Sequence, residues 1–413
     1  MKTTYALLFF MVAFIAMGQE NILQTNKRAT LESILETDTV LQGYLRDNDM
    51  EYQLLYTQID RGKEGSPKFK SFKYERGSMG YFYPASSVKL PIAALALEKL
   101  RTKPEVSLFD PMLTDSVLIW QTSMFSDSLG TDGFPTVGDH IKKTLIYSDN
   151  NSFNRLYEFL GPEYINSRLK ELGISKTRIV HRLSLPLTPE QNGISNPVIL
   201  LDGNRDTIWK IPAVKSKVLG GSGTILKGRG YIKEGVLVDE PMDFTDKNRF
   251  PLKDQQEILK RIIFPDAYRT SQQFRLEPED YAFLLEQMST VPRHSKFPEA
   301  IKSIPDSYAK NFLYDKETLK LLPNIRIFNK IGVAYGFMID NAYIIDVENN
   351  IEFLLSVVIN VNINGIYNDN TYAYDTIGYP FLLRLSELIY AYELQRKRKQ
   401  TPDLSRFQPY GNY

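Results

Sequence analysis

Tyr83-Pro84-Ala85-Ser86-Ser87-Val88-Lys89-Leu90-Pro91, running on into Ile92-Ala93-Ala94-Leu95-Ala96-Leu97, is the stretch around which the rest of the chain is read. Pro84 marks a break, and the apolar run after Leu90 predicts a helix buried all round. Ser86 then stands at a helix start, with Lys89 three residues on along the same side. That pairing makes a nucleophile without histidine. The amine lies one turn from the hydroxyl, and partial burial lowers its proton affinity so that it can accept the hydroxyl proton. Backbone N–H groups at the helix start favour the negative charge that develops during attack.

Composition narrows the alternatives to this kind of chemistry. The 413 residues include no Cys and only three His (His140, His181 and His294), none in an HExxH or paired spacing. Disulfides, thiolate metal sites and a Cys nucleophile are excluded, and neither a metal nor another cofactor is expected. With 50 Lys+Arg against 49 Asp+Glu, the chain lacks the basic excess of a nucleic-acid binder. The expected partner is a small molecule. Lys2 is the only charge before Glu20, and Tyr5 to Gly18 is almost wholly apolar. That run is shorter than the roughly 20 residues a membrane helix needs. It reads instead as a secretory signal, residues 1–18, cleaved near Gly18 to give an exported, periplasmic or secreted product. Without Cys no lipid anchor can follow, and nothing else in the chain is apolar enough to span a membrane.

Periodicity gives the layout. Leu31, Ile34, Leu35, Val40, Leu41 and Leu45 are spaced as on a helix. Glu51–Asp60 and Lys68–Gly77 read as strands, and 136–173 as helices broken near Gly161-Pro162. Asn196-Pro197 opens a hairpin turning at Asp202-Gly203-Asn204. Near 253–263 and after Glu277-Pro278-Glu279-Asp280 two more helices are expected. Segments 324–332, 337–347 and 351–361 read as consecutive strands, followed by a closing helix from about Pro380 to Lys399. The fold class expected is α/β (α+β), an antiparallel sheet flanked by N- and C-terminal helices with an inserted all-helical subdomain. In residue terms the α/β part covers about 27–85 and 290–399 and the helical part about 86–289. Residues 400–413 form a tail, and the Arg396-Lys397-Arg398-Lys399 run reads as a solvated helix end.

Two further elements join Ser86 and Lys89. S-x-x-K also occurs at Ser167/Lys170, in a polar helix, and at Ser307/Lys310, in a loop-like stretch; only the first match is followed by a helix that would bury the lysine stem. Ser148-Asp149-Asn150 sits in a tight turn between two apolar-periodic stretches. Its Ser hydroxyl can relay a proton to a leaving group, and its Asn amide can bond a substrate amide and the lysine. Lys330-Ile331-Gly332 lies on a strand, unlike the K-x-G at Lys63 and Lys233. A strand lysine facing a cleft can hold a carboxylate, Gly332 allows close approach to the backbone, and the N–H of Val333 with that of Ser86 can form an oxyanion hole. Gly220-Gly221-Ser222-Gly223 lacks the pattern of a nucleophile elbow, and Gly223 to Gly228 lacks the Lys-Ser/Thr of a P-loop.

The order S-x-x-K, S-D-N, K-x-G resembles the penicillin-recognising serine hydrolases, most closely class A β-lactamases, over most of residues 29–395. The resemblance implies that Ser86 is the acylated nucleophile and Lys89 its proton partner. It makes Ser148 the proton shuttle and Asn150 a substrate ligand, with Lys330 and Gly332 lining the binding strand. It implies a β-lactam or related activated acyl compound as substrate; an ester or amide hydrolase, or a penicillin-binding sensor or cell-wall module with little turnover, are the alternatives. Three departures stand out. An ungapped match places Ser184 where the family carries its deacylating Glu. Glu190 is the nearest acid, but position 194 is Ile where E-x-x-x-N needs Asn, so Glu190 serves through a rearranged loop, His181 substitutes, or deacylation is slow. Ile331 replaces the usual hydroxyl between Lys and Gly, removing a hydrogen bond worth roughly 1–3 kcal/mol to a charged group. Finally, 182 positions separate Ser148 from Lys330, the excess lying in an insertion near 191–275 that either covers the cleft or binds a partner.

Overall fold

The structure, a computed structural model, describes residues 30–47, 50–77, 79–217, 223–314 and 323–411. The segment read as a signal, residues 1–18, lies outside the described residues. The main sheet contains β1 (Glu51–Arg61), β2 (Pro67–Arg76), β3 (Ile325–Asn329), β4 (Gly332–Ala334), β5 (Phe337–Asp346) and β6 (Ile351–Asn360). Its order is β3-β5-β6-β1-β2, with β4 also on β5, and every pairing is antiparallel. Strands from both ends of the sequence therefore meet in one sheet. β5 and β6 are buried along almost their whole length, which explains why they are mostly apolar on both faces in place of strict alternation.

Each face is covered by helices. On one, α1 (Leu31–Leu35), α2 (Thr39–Arg46) and the closing helix α8 (Tyr379–Gln395) pack over Tyr52, Tyr56, Phe353 and Leu355. On the other, α3 (Lys89–Leu100), α4 (Val137–Ile146), α5 (Asn150–Leu160), α6 (Leu252–Ile263) and α7 (Pro278–Ser289) share a core with Phe328, Tyr343 and Leu354. In α3 only Lys99 among its twelve residues is not buried, as a helix apolar on all sides requires.

The sequence reading made the part between the sheet segments all-helical; among the described residues it instead carries short strands in three small sheets, one of them completed by Ile366–Tyr367 after β6. Met112–Thr114, Val198–Leu201 and Thr207–Ile211 form one, which includes the anticipated hairpin. Leu226–Lys227 with Met242–Asp243 forms another, and Gly230–Lys233, Val236–Val238 and Ile366–Tyr367 the third. Strands of two to five residues leave too short a pattern to read. The insertion also drives Phe244 into an aromatic cluster with Tyr83 and Tyr335, ring centroids 6.2 and 5.5 Å away. These tyrosines flank Ser86 and Gly332 in sequence, so the insertion buttresses one wall of the site.

Two surface readings change. Arg396 and Arg398 do not end a solvated helix: both turn back onto the buried Glu393, and Arg396 also reaches Asp60 at 2.5 Å. The described part of the segment read as a tail packs down as well, burying Leu404 and Phe407 against Phe328 and Tyr343.

Candidate active site

Ser86 sits in a 3-10 turn, Ala85–Val88, that leads directly into α3. With three residues per turn, positions i and i+3 eclipse, which brings the Ser86 hydroxyl beneath the Lys89 amine. Nζ and Oγ lie 2.9 Å apart. Lys89 is fully buried. Its Nζ also meets Asn150 Oδ1 at 2.6 Å, Ser148 Oγ at 3.0 Å and the Ser148 carbonyl. Burial holds the amine well below the ordinary lysine range, the charge of Lys330 adds to this, and Asp149 opposes it. In the neutral amine the two N–H groups satisfy the two carbonyl acceptors, and the lone pair is left to accept the Ser86 O–H.

The turn before α5 delivers the next two groups. Asp149 is the N-cap, its carboxylate accepting from Ser152 N at 2.6 Å. Because Asp149 caps the helix, the flanking Ser148 and Asn150 side chains are free to face Lys89. Ser148 takes the left-handed conformation (φ 61), as does Ala85 beside the nucleophile (φ 47). Non-glycine residues there cost roughly 1–3 kcal/mol each and persist only where their surroundings impose them.

Lys330 comes from the bend between β3 and β4. Its Nζ donates to Ser148 Oγ at 3.0 Å and to the Ile331 carbonyl at 3.0 Å. Ser148 Oγ thus bridges the two lysines. Burial lowers Lys330 to about 7, with Lys310 adding to the fall and Asp340 opposing it. Gly332 packs on the nucleophile turn so closely that a Cβ would lie 2.6 Å from Pro84 O and 3.2 Å from Ser86 N. Lys330 N bonds Asn341 O, and Gly332 and Ala334 pair with Ile339 and Phe337. An antiparallel ladder bonds alternate residues, so the N–H of Val333 points away from β5, toward the edge where the Ser86 turn packs. Two backbone donors, at Ser86 and Val333, therefore border the nucleophile. By contrast Lys170, Lys63 and Lys233 are exposed.

A family model described as the beta-lactamase enzyme family matches residues 36–392. The chain belongs to this family. Its mixed α/β architecture is the β-lactamase/transpeptidase-like one. Among solved structures it is similar to a β-lactamase from Xanthomonas campestris pv. campestris, at 16% identity over 88% of this chain and 98% of that chain, TM-score 0.48. It is also similar to a class A β-lactamase from Mycobacterium abscessus (16% identity, 82% and 92%, TM-score 0.43) and to the structure titled PBP-A (14% identity, 90% and 99%, TM-score 0.48). No curated protein matches the chain.

Of the departures from the family pattern, the loop that follows the helix Pro162–Glu171, next in sequence after α5, is the most informative. It is clamped by Asn154, whose amide exchanges bonds of 3.0 and 2.8 Å with the backbone of Leu183, and by Asn166, which does the same to Ile179. The Arg182 guanidinium is pinned by Glu158 at 2.8 Å. The clamped loop then turns through Ser184 (φ 57), whose Oγ accepts from Asn150 Nδ2 at 2.7 Å. Ser184, not a carboxylate, thus meets the site. Glu190 is not brought to it: it lies exposed on the short turn Pro189–Asn192, and its own backbone N–H and Thr188 hold its carboxyl below the usual range. None of its described hydrogen bonds reaches Ser86, Lys89 or Ser148. His181 is buried, its ring stacked on Tyr83 at 6.0 Å and Nδ1 against the Arg182 carbonyl at 2.5 Å. Burial lowers it to about 4, so it is neutral at pH 7.

Sequence reasoning missed a group behind the site. Lys310, dismissed as part of a loop, is buried, and its Nζ bonds Asn329 Oδ1 at 2.6 Å and the Met288 carbonyl at 2.7 Å. Asn329 passes the contact on to Asp340 Oδ1 at 2.8 Å. The one available signal was the S-x-x-K match itself, since no apolar helix follows Lys310 in sequence to suggest burial.

Proposed function

We propose that this chain is an exported serine hydrolase that forms an acyl-enzyme at Ser86 with β-lactams or closely related activated acyl compounds. The observation that carries the reading is the contact of Lys89 Nζ with Ser86 Oγ at 2.9 Å, the amine being buried and its N–H groups taken by Asn150 and Ser148. Lys89 accepts the Ser86 proton as Oγ attacks the carbonyl carbon, and the N–H groups of Ser86 and Val333 receive the oxyanion. The C–N bond then breaks, and the proton passes from Lys89 through the Ser148 hydroxyl to the departing nitrogen. Lys330 and Asn150 orient the substrate. Water completes hydrolysis of the ester.

That last step lacks a carboxylate base, since Ser184 faces Asn150 and Glu190 is exposed. This favours a second reading, a penicillin-binding sensor or cell-wall module that acylates and barely turns over. Purified protein incubated with a fluorescent penicillin and a chromogenic cephalosporin, beside Ser86→Ala, separates the two. Turnover that the variant loses supports the hydrolase, and a stable label without turnover supports the sensor. The absence of both label and turnover discards β-lactams as ligands. Export with removal of residues 1–18 belongs to the same proposal, and N-terminal sequencing of the mature chain tests it.

A further inference from the structure

Behind Lys330 lies a second polar layer that the acylation mechanism does not use. Lys310, Asn329 and Asp340 are all at most 2% exposed. Their hydrogen bonds run in one direction. Lys310 Nζ donates to Asn329 Oδ1, Asn329 Nδ2 donates to Asp340 Oδ1 and to the Ala309 carbonyl, and Asp340 Oδ2 accepts from Asn311 N at 3.3 Å. Asn329 ends β3 immediately before Lys330, while Asp340 precedes Asn341, whose carbonyl bonds the backbone of Lys330. The chain is therefore anchored to the backbone on both sides of the substrate-facing lysine.

Charge makes the arrangement consequential. Three lysines, Lys89, Lys330 and Lys310, are buried around the site, and Asp340 is the carboxylate that acts on both Lys330 and Lys310. One fully buried anion shared by two buried cations does not neutralise both, so some of these groups give up charge near neutral pH. The groups that bear on Lys330 are Lys310 from the segment before β3 and Asp340 from β5; Lys89 on α3 feels Lys330 in return, together with Asp149 from the α4–α5 turn. Lys310 further feels Asp306, which is itself paired with Arg293.

We propose that Lys310, with Asn329 and Asp340, is a positioning relay that sets whether Lys330 presents a charge to the substrate. Burial lowers Lys310 itself to about 7; while it keeps its proton it pushes protons off Lys330, and the anion of Asp340 holds them on. Neutralising Lys330 above about pH 7 costs the site its attraction for a carboxylate-bearing acyl compound, while an uncharged ester or amide is unaffected. Ile331, at the position beside Lys330, works in the same direction by offering a carboxylate no hydroxyl. The relay rests on the reading of Lys330 as a substrate-facing group, and its test includes a readout that needs no catalysis.

That readout is the titration of Lys330 by NMR of lysine labelled with 13C and 15N at the ε position, the resonance being assigned by its loss in Lys330→Arg. Lys310→Met should raise the titration midpoint of Lys330 by about one pH unit or more, and Asp340→Asn should lower it by a similar amount. The double variant, which removes both charges, should fall between them, and it replaces either single variant that fails to give a native melting transition. In parallel, the acylation rate for an anionic penicillin relative to its neutral methyl ester should fall above about pH 7 in the wild type, and the fall should move upward in Lys310→Met. A purely structural role would not move the two single variants in opposite directions. Shifts of the same sign, or shifts under about 0.3 unit, overturn the relay. If opposite shifts occur but no penicillin acylates Ser86, the relay stands and the β-lactam reading fails.

Discussion

Replacing Gly332 with Ala perturbs the site without touching any polar side chain in it. The added Cβ would lie 2.6 Å from Pro84 O, 3.0 Å from Ser87 N and 3.2 Å from Ser86 N. Ordinary contact begins near 3.4 Å, so the tightest approach is too short by about 0.8 Å. All three atoms are backbone, so no side chain can swing aside; β4 and the Ala85–Val88 turn must separate. Overpacking of this kind costs about 1–3 kcal/mol. In a domain of this size that lowers the melting temperature by roughly 2–4 °C per kcal/mol. Separation also draws the Val333 N–H away from the Ser86 N–H, and loss of one oxyanion donor costs about 10²–10³-fold in rate. The assay is stopped-flow labelling of Ser86 by a fluorescent penicillin, with thermal melts of both proteins. Labelling is expected to slow by about 10²-fold or more while melting falls by only a few degrees. A variant that labels within about threefold of wild type refutes the assignment of β4 as the oxyanion strand.

Three other expectations follow from single contacts. Ser184→Glu puts a carboxylate beside Asn150, so the lifetime of the acyl-enzyme should shorten by about tenfold or more, read by mass spectrometry of the decaying adduct; an unchanged lifetime means the loop does not position the base. Lys330, lowered to about 7, binds no proton in the native state between there and 10.5, where the unfolded chain does. Its contribution to stability therefore rises with pH across that window and is lost as pH falls toward 7. Lys330→Met should shrink the difference in unfolding free energy between about pH 7 and pH 9, and an undiminished difference would contradict the shift. Glu393→Gln leaves Arg396 and Arg398 buried without their shared anion and should cost about 3–5 kcal/mol in urea unfolding; a loss below about 1 kcal/mol would show those charges to be solvated after all.

The sheet and the nucleophile turn were readable because their signals are local and long. Ten-residue, predominantly apolar stretches announce β5 and β6, and the run after Leu90 told the first S-x-x-K from the other two. The roles proposed for Ser148 and Asn150 came from the order of the three motifs and the family it resembles, since their spacing alone suits a plain N-cap; sequence could not say that Asp149 takes over capping and so frees both. What escaped reading depends on partners far apart in the chain. Lys310 is buried by Met288, Asn329 and Asp340, which no window around it contains. Arg396 and Arg398 both pair with Glu393 on a helix whose last residues look solvent-bound, and Arg396 also pairs with Asp60 near the other end of the sequence. Within the insertion the Asp202-Gly203-Asn204 turn announced one hairpin, but the remaining strands carry two to four residues, too few for alternation to show. The fate of Glu190 was also invisible: clamps at Asn154, Asn166 and Arg182, not residue spacing, decide which side chain of that loop meets Asn150.

The account turns on Ser86 as the group that becomes covalently acylated. Intact-mass measurement of the wild-type protein during incubation with benzylpenicillin, followed by peptide mapping, reads this directly. The prediction is an adduct carrying the whole mass of the ligand, located on Ser86, absent from Ser86→Ala and slow to form in Lys89→Met. No adduct at any time, with the penicillin either intact or still hydrolysed, or an adduct on another residue, would contradict it.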